Sequence, residues 1–364
     1  MNKDYISVNR ASELLKVTPH YVRQLLREGK LTGTQNKENG RWSVDRTSLN
    51  AAKNADLVHQ DLDDLAKQIT ITIQDAVEDV EENFECTIVS YIANPNSPVA
   101  LIDGNDAMLL DDLLYNLKDG FEKGISHKYK RIGLVLNSGG GFLEAAIKFV
   151  DIIRQYSDEY YVIVPIMAKS AATLIALLAD KQLFTTLSEL GPVDPVVQSP
   201  TDPNLRVPAT AIDSFLDFYN KPQLDNSHKG KILKEKMEKA IDPYLVGAYK
   251  MAQEFSEQEV KNALTKYAMK GKTDDEISEA VKEFVSTHKS HIYPIMFSQL
   301  TQFGIGEKIP DGKKLESIKV LMMMYQQFMA NSNIVKLIGN RLENKNIFVI
   351  PQSPTQQVPT RTSL

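Results

Sequence analysis

LVLNSGGGFLEAA at residues 134–146 and IVPIMAKSAATLIALLAD at residues 163–180 share one texture. Each opens as an apolar run, passes a turn of small residues and continues with helical spacing. Around them Thr87–Ile92, Arg131–Leu136 and Tyr160–Met167 read as strands. Asp106–Leu117, Phe142–Tyr156 and Ala171–Asp180 read as helices. Strands alternating with helices predict an α/β fold with a parallel sheet joined by crossovers. Residues 209–285 read as mainly helical, with capping boxes at Ser256/Glu259 and Thr273/Glu276. In such an arrangement the two small-residue turns meet at the carboxyl ends of neighbouring strands, where ligands bind.

The turns carry the chemistry. Gly139, Gly140 and Gly141 follow a strand directly, and without Cβ atoms their amides can point at a phosphate or an oxyanion. Neither a dinucleotide fingerprint nor a Walker A loop fits, because no Lys-Ser/Thr closes the run. Ser170 stands at the start of a buried helix, where the dipole favours a developing alkoxide and Ala171 and Ala172 leave room for a carbonyl. Serine is also the usual helix cap, so Ser170 alone carries either reading. No His/Asp/Glu set has metal-ligand spacing, and no cofactor is implied.

The ordered set LIDGNDAMLLDDLLYNL (101–117), LVLNSGGGFLEAA, IVPIMAKSAATLIALLAD, SELGPVDP (188–195), ILKEKMEKAI (232–241) and SHIYPI (290–295) resembles the serine dehydrogenase proteinase family. That family is grouped with signal peptide peptidase A and the Clp protease in the ClpP/crotonase fold. The resemblance runs from about Cys86 to Gly306. It implies a βαβ spiral core with a helical C-terminal part, a peptide or protein substrate, Ser170 as nucleophile and an oxyanion hole from the amides of Gly140 or Gly141 and Ala171. It also implies a homo-oligomer. By analogy with the signal peptide peptidases, a lysine would be the general base, and position nominates Lys239; such a lysine must be desolvated or held near other cations. Lys169 is adjacent to Ser170, and its side chain is expected to diverge from it. The Clp protease carries a histidine soon after its serine, whereas here the segment reads Gly191-Pro192-Val193-Asp194, and Asp194 reads as a structural turn residue. His291 is the downstream histidine inside a family-like segment, although Ile292 departs from the family pattern, and it is a further catalytic candidate.

The chain's 364 residues carry a net charge of −5, distributed unevenly. Residues 1–53 hold ten Lys/Arg against five Asp/Glu, leaving −10 on the remainder. A basic head on an acidic body predicts two modules with different partners. Ser7, Thr18 with Pro19, and Asp45 read as helix starts, and Gly33–Gly40 as a polar hairpin. The order SVNRASELLKVTPHYVRQLLREGKL then NGRWSVDRTSL resembles the small winged helix-turn-helix of excisionases and the MerR family. Double-stranded DNA would then be a partner of residues 1–53, with His20, Arg23 and Gln24 towards base edges and Lys37 and Arg41 towards the backbone or minor groove.

Residues 54–85 read as an acidic helical linker, 86–349 as the peptidase-like domain and 350–364, rich in Pro, Ser, Thr and Gln, as a disordered tail. A lone cysteine, Cys86, excludes a disulfide framework and suits the cytoplasm. The first residues lack a signal-peptide pattern. Val162–Ala179 carries Lys169 and Ser170 at its middle and reads as strand plus helix, not a membrane span. The reading as a whole is a serine peptidase with a DNA-binding head. Its rival is a DNA-binding regulator on a silent Clp-fold platform.

Overall fold

Capping chemistry sets the first boundaries in the computed structural model. Ser7 ends strand β1 (Tyr5–Ser7), and its hydroxyl accepts the Arg10 N–H at 3.2 Å to open helix α1 (Val8–Leu15). Pro19 stands first in α2 (Pro19–Arg27), where its missing N–H leaves nothing unpaired. Gly29, at φ +70°, turns the chain out of that helix. Strands β2 (Gly33–Gln35) and β3 (Trp42–Asp45) pair antiparallel, and β1 joins them in the order β1-β3-β2. Asp45 accepts the Thr47 N–H at 2.9 Å and opens α3 (Arg46–Asn54). Val8, Val22, Leu25, Leu31, Val44 and Leu49 are buried as one small core, with Trp42 packed against it.

The chain continues through α4 (Ile73–Phe84), β4 (Thr87–Ala93), α5 (Gly104–Leu117), β5 (Tyr129–Asn137), α6 (Leu143–Tyr156), β6 (Ser157–Val164), β7 (Met167–Ala168) and α7 (Ala171–Leu177). Next come β8 (Lys181–Phe184), β9 (Glu189–Leu190), β10 (Val196–Gln198), β11 (Arg206–Pro208), α8 (Ala209–Tyr219), α9 (Pro222–Asp225), α10 (His228–Ala240), α11 (Pro243–Ala263) and α12 (Asp274–Val285). The last elements are β12 (Ile295–Met296), α13 (Phe297–Leu300), β13 (Glu307–Lys308), α14 (Lys313–Ala330), β14 (Lys336–Gly339) and β15 (Ile347–Val349). The structure describes residues 5–15, 19–36, 41–54, 73–95, 97, 99–117, 128–198, 206–240, 243–288, 290–330, 335–340 and 347–349. Thr18, Lys37, most of the expected linker before Ile73 and the tail 350–364 lie outside them.

Two compact units result. The first holds Met1–Ser90, Leu109–Gly133 and Pro310–Leu364, and the second Tyr91–Met108 and Leu134–Ile309. In the first, α14 packs on α4, β14 pairs antiparallel with β15, and β4 neighbours β14. Cys86 is buried here. A Cβ on Gly133 would stand 2.7 Å from its Sγ, so glycine is what lets the thiol be covered, and burial pushes that thiol up to about 12.

In the same unit, α4 faces α2. Arg23 is fully buried, with Nε 3.1 Å from Glu78 Oε2 and an Nη 2.9 Å from Asp79 Oδ1 and 3.6 Å from Glu82 Oε1. Arg27 reaches Asp75 at 3.0 Å, and Arg41 donates to the carbonyls of Glu81 and Cys86 at 3.3 and 3.4 Å. Arg23 and Arg41 are therefore not presented to a groove as the sequence predicts; a guanidinium among carboxylates and carbonyls is held inside the unit. His20 and Gln24 lie on α2.

In the second unit the strands stand in the order β13-β8-β6-β5-β4, with β6, β8 and β13 parallel. α6 and α7 are the crossovers that deliver β6 and β8. Every residue of α7 is buried, as expected of a helix apolar all round. A second small sheet runs β12-β9-β7. The capping box at Thr273/Glu276 opens α12, and its bonds hold the Glu276 carboxyl at about 2. Ser256 does not cap a helix: it lies inside α11 and its hydroxyl donates to the Val193 carbonyl. Among the described residues no helix is long and apolar enough to cross a membrane.

Candidate active site

The glycine turn and the serine turn are laid side by side by backbone pairing past the ends of β5 and β6. Ser138 N–H donates to the Met167 carbonyl at 3.1 Å, and Lys169 N–H donates to the Ser138 carbonyl at 3.0 Å. Asn137 adds its side-chain carbonyl, accepting the Met167 N–H at 3.3 Å. Gly140 has φ +103°, and a Cβ there would meet the Lys169 carbonyl oxygen at 2.5 Å and the Ser170 Cβ at 2.8 Å. Only glycine allows both that dihedral and that approach. On the other side of the turn, Ile102 N–H donates to the Gly140 carbonyl and Phe142 N–H to the Ile102 carbonyl, each at 2.9 Å. Ile102 is steadied by Asp106, which is buried and accepts the Tyr91 hydroxyl at 2.8 Å and the Asp103 N–H at 3.0 Å. The LIDGNDAM stretch thus serves as the outer wall of the glycine turn.

Ser170 occupies a conformation that non-glycine residues rarely adopt, φ 50° and ψ −121°. Such a backbone costs on the order of 1–3 kcal/mol and persists where surrounding packing imposes it. The side chain does not cap α7. Among the described residues its Oγ has no hydrogen-bond partner, although the residue is 8% exposed. A strained strand-to-helix elbow that displays an uncommitted serine hydroxyl is suited to nucleophilic attack. The capping alternative is removed, and the positive φ is a feature that composition and spacing did not signal.

The amides around that hydroxyl differ in availability. Gly140 N–H donates to Ser138 Oγ at 3.1 Å. The N–H groups of Gly141 and of Ala171, the first residue of α7, have no partner among the described residues. Ala171 N is the third-nearest atom to a Cβ built on Gly140, at 3.2 Å, so the glycine turn lies against the Ala171 amide. Ser138 was not marked as a site residue by the sequence; its place between Asn137 and the glycine run was the available signal.

Lys169 anchors the loops below. Its Nζ lies 2.8 Å from Glu189 Oε1 and donates to the carbonyls of Leu190 and Tyr293 at 3.2 and 3.3 Å. Its stem crosses Gly191, where a Cβ would meet Lys169 Cδ at 2.5 Å. Thr173 completes the joint: its hydroxyl accepts the Gly191 N–H at 3.0 Å and donates to the Ala168 carbonyl at 2.7 Å. This explains why SELGP needs its glycine. Lys239 sits elsewhere on α10, its side chain 74% exposed and its Nζ 2.7 Å from Glu235. It does not meet the desolvation condition for a lysine base. His291 Nδ1 lies 3.8 Å from Asp194 Oδ2. Among the described residues no group of His, Cys, Asp and Glu side chains is arranged to hold a metal.

Residues 124–347 match the family described as ClpP-like SDH-type serine proteinase. The chain belongs to that family. Two curated relatives, both from Methanocaldococcus jannaschii, are themselves uncharacterised. MJ0137 is 26% identical over 219 residues, covering 60% of this chain and 67% of its own length. MJ1495 is 28% identical over 174 residues, covering 48% of this chain and 51% of its own length. The chain thus spans about two thirds of the first and half of the second. Among solved structures it is similar to a mutant of the membrane-bound stomatin-specific protease 1510-N (12% identity, 62% of this chain and 79% of that one, TM-score 0.36). It is also similar to a ClpP1 mutant from Listeria monocytogenes (15% identity, 65% and 98%, TM-score 0.33).

Proposed function

We propose that this protein is a serine peptidase in which Ser170 attacks a peptide carbonyl. The observation that carries the reading is the Ser170 elbow, with positive φ, an uncommitted hydroxyl and the free amides of Ala171 and Gly141 beside it. The Ser170 Oγ–C bond forms while the hydroxyl proton leaves to a base and the carbonyl pair moves onto oxygen. The two amides stabilise that oxyanion, an effect worth about 3–4 kcal/mol per donor. The C–N bond then breaks, the amine takes the proton, and water hydrolyses the acyl-enzyme. Gly140 N–H, which donates to Ser138 Oγ, holds the turn's shape and would become a third donor if that bond exchanged.

The test is hydrolysis of a fluorogenic peptide library by the purified full chain and by Ser170→Ala. Turnover by the first and its loss in the second support the reading. Equal turnover by both refutes it. The basic head adds no second reading here, since two of the cations expected to contact DNA are engaged inside their own unit.

A further inference from the structure

Three arginines of the head point at one helix. Arg23 stands with Nε 3.1 Å from Glu78 and Nη2 2.9 Å from Asp79 and 3.6 Å from Glu82, and Arg27 reaches Asp75 at 3.0 Å. Arg41, beside the hairpin, donates to the carbonyls of Glu81 and Cys86. Residues 1–53 carry five more cations than anions, and α4 covers the face on which these three gather. We propose that α4 is an internal ligand of the head, masking a cationic face that takes duplex DNA once the helix is withdrawn. This goes beyond the peptidase reading and does not depend on it.

The spacing along α4 gives it two faces. Ala76, Val77, Val80 and Phe84 make the apolar one; α14 packs on this helix, with Lys314 over the Phe84 ring at 5.4 Å. Asp75, Glu78, Asp79 and Glu82 recur at i, i+3, i+4 and i+7 and make a stripe on the opposite side. The head's arginines meet that stripe.

The head is complete without α4. Its core, from Val8 to Ala52, contains no residue of that helix. Polar ties hold it in place: the arginine pairs, and Lys313 at the start of α14, 2.6 Å from Glu13. Residues 55–72 join the head to α4, and a segment of that length reaches up to about 60 Å. Parting the head from α4 therefore leaves its core intact.

The network is also poorly satisfied. Arg23 Nη1 and Glu82 Oε2 are buried without a hydrogen-bond partner among the described residues, and Arg23 Nε faces Glu78 without hydrogen-bond alignment. Burial pushes the Glu82 carboxyl up to about 6 even though Arg23 pulls it down. Deleting one partner of a buried pair strands the other, but moving both into water returns their hydration, so separation is the cheaper event.

Duplex DNA supplies what the stripe supplies, at higher density. From Asp75 to Glu82 the stripe spans about 10 Å and carries four carboxylates. The same length of duplex carries about six phosphate charges. Its major groove, about 12 Å wide, admits a helix such as α2, on which Arg23 and Arg27 stand about one turn apart.

The experiment is fluorescence anisotropy of a fluorescein-labelled mixed-sequence duplex titrated with the full chain at low and at physiological salt. Wild type is compared with Glu82→Gln, with the α4 triple Glu78→Gln/Asp79→Asn/Glu82→Gln, and with that triple plus Arg23→Gln. The control, Glu254→Gln/Glu257→Gln/Glu279→Gln, removes as many charges from exposed positions of the second unit. Circular dichroism checks each fold, and Glu82→Gln carries the test alone if the triple does not fold. The α4 triple is expected to bind about 5–150-fold tighter than wild type, the usual span of coupling between two ligands, with Glu82→Gln between them. Adding Arg23→Gln is expected to return the affinity towards wild type and to lower the salt slope by about 1. Wild-type affinity in every folded α4 variant overturns the proposal, as does an equal gain in the control or a gain that survives Arg23→Gln. Capture of a synthetic 73–84 peptide by the α4 triple without duplex binding also overturns it and assigns the face to acidic helices.

Discussion

Removing the Arg23 guanidinium tests whether the head is built around its ion network. Arg23 is fully buried and lies 3.1, 2.9 and 3.6 Å from Glu78, Asp79 and Glu82, whose side chains are 5%, 25% and 10% exposed. Arg23→Met keeps much of the stem and leaves three carboxylates facing one another. A unit charge pair at this distance interacts by about 4–6 kcal/mol at an effective dielectric near 20, and desolvation already takes back part of that. Breaking such a buried pair from one side costs about 3–5 kcal/mol. With a urea slope of about 2 kcal/mol/M, the midpoint falls by about 2 M. Trp42, the chain's single tryptophan, packs on the head's core, so its fluorescence in a urea titration reports this region. Added salt changes the result little, because the pairs are buried. Adding Glu78→Gln to Arg23→Met recovers part of the loss. A variant midpoint within about 0.2 M of wild type, or under about 0.5 kcal/mol, would refute the reasoning.

Burial pushes the Glu82 carboxyl up to about 6 from 4.5, against the pull of Arg23 and with the push of Glu78 and Asp79. A raised carboxyl favours the protonated folded state, so this contribution is full below pH 4.5 and is lost as pH rises through about 6. It amounts to about 2 kcal/mol. Glu82→Gln removes that part of the slope in Trp42-detected unfolding, and an unchanged slope refutes it. Gly140→Ala forces a Cβ onto the Lys169 carbonyl at 2.5 Å in a conformation at φ +103°. Labelling at Ser170 is expected to fall at least tenfold, and an unchanged rate shows that the two turns are not in register. Ser170→Gly relieves the positive φ and stabilises the fold by about 1–3 kcal/mol relative to Ser170→Ala while both stay inactive; equal melting temperatures for the two variants would show that Ser170 is unstrained.

What the sequence revealed follows from where the physics is local. Asp45, Gly29 and the Thr273/Glu276 box act within a few residues of themselves, so their helix boundaries were legible. The alternation that brings the glycine turn beside Ser170 was legible for the same reason, since a crossover of one helix leaves few alternatives. Ser256 had the right neighbours for a cap, but tertiary packing placed it mid-helix with a backbone partner far away in the chain. Arg23 was illegible in a different way. An arginine on an amphipathic helix looks the same whether water, DNA or an acidic helix faces it, and only the fold brings Glu78 and Asp79 to it. Asp194 read as a structural turn residue and His291 as a catalytic candidate, and their meeting was not legible because it depends on β9 and β12 pairing across a long stretch of chain.

Cys86 gives the molecule a clock. A single thiol, covered where Gly133 leaves it just enough room and held protonated by its surroundings, meets a reagent only while β4 is uncovered. The rate at which a thiol reagent modifies the folded protein then counts openings of the first unit, one molecule and one event at a time. Slow local breathing can be timed there without adding a label anywhere else in the chain.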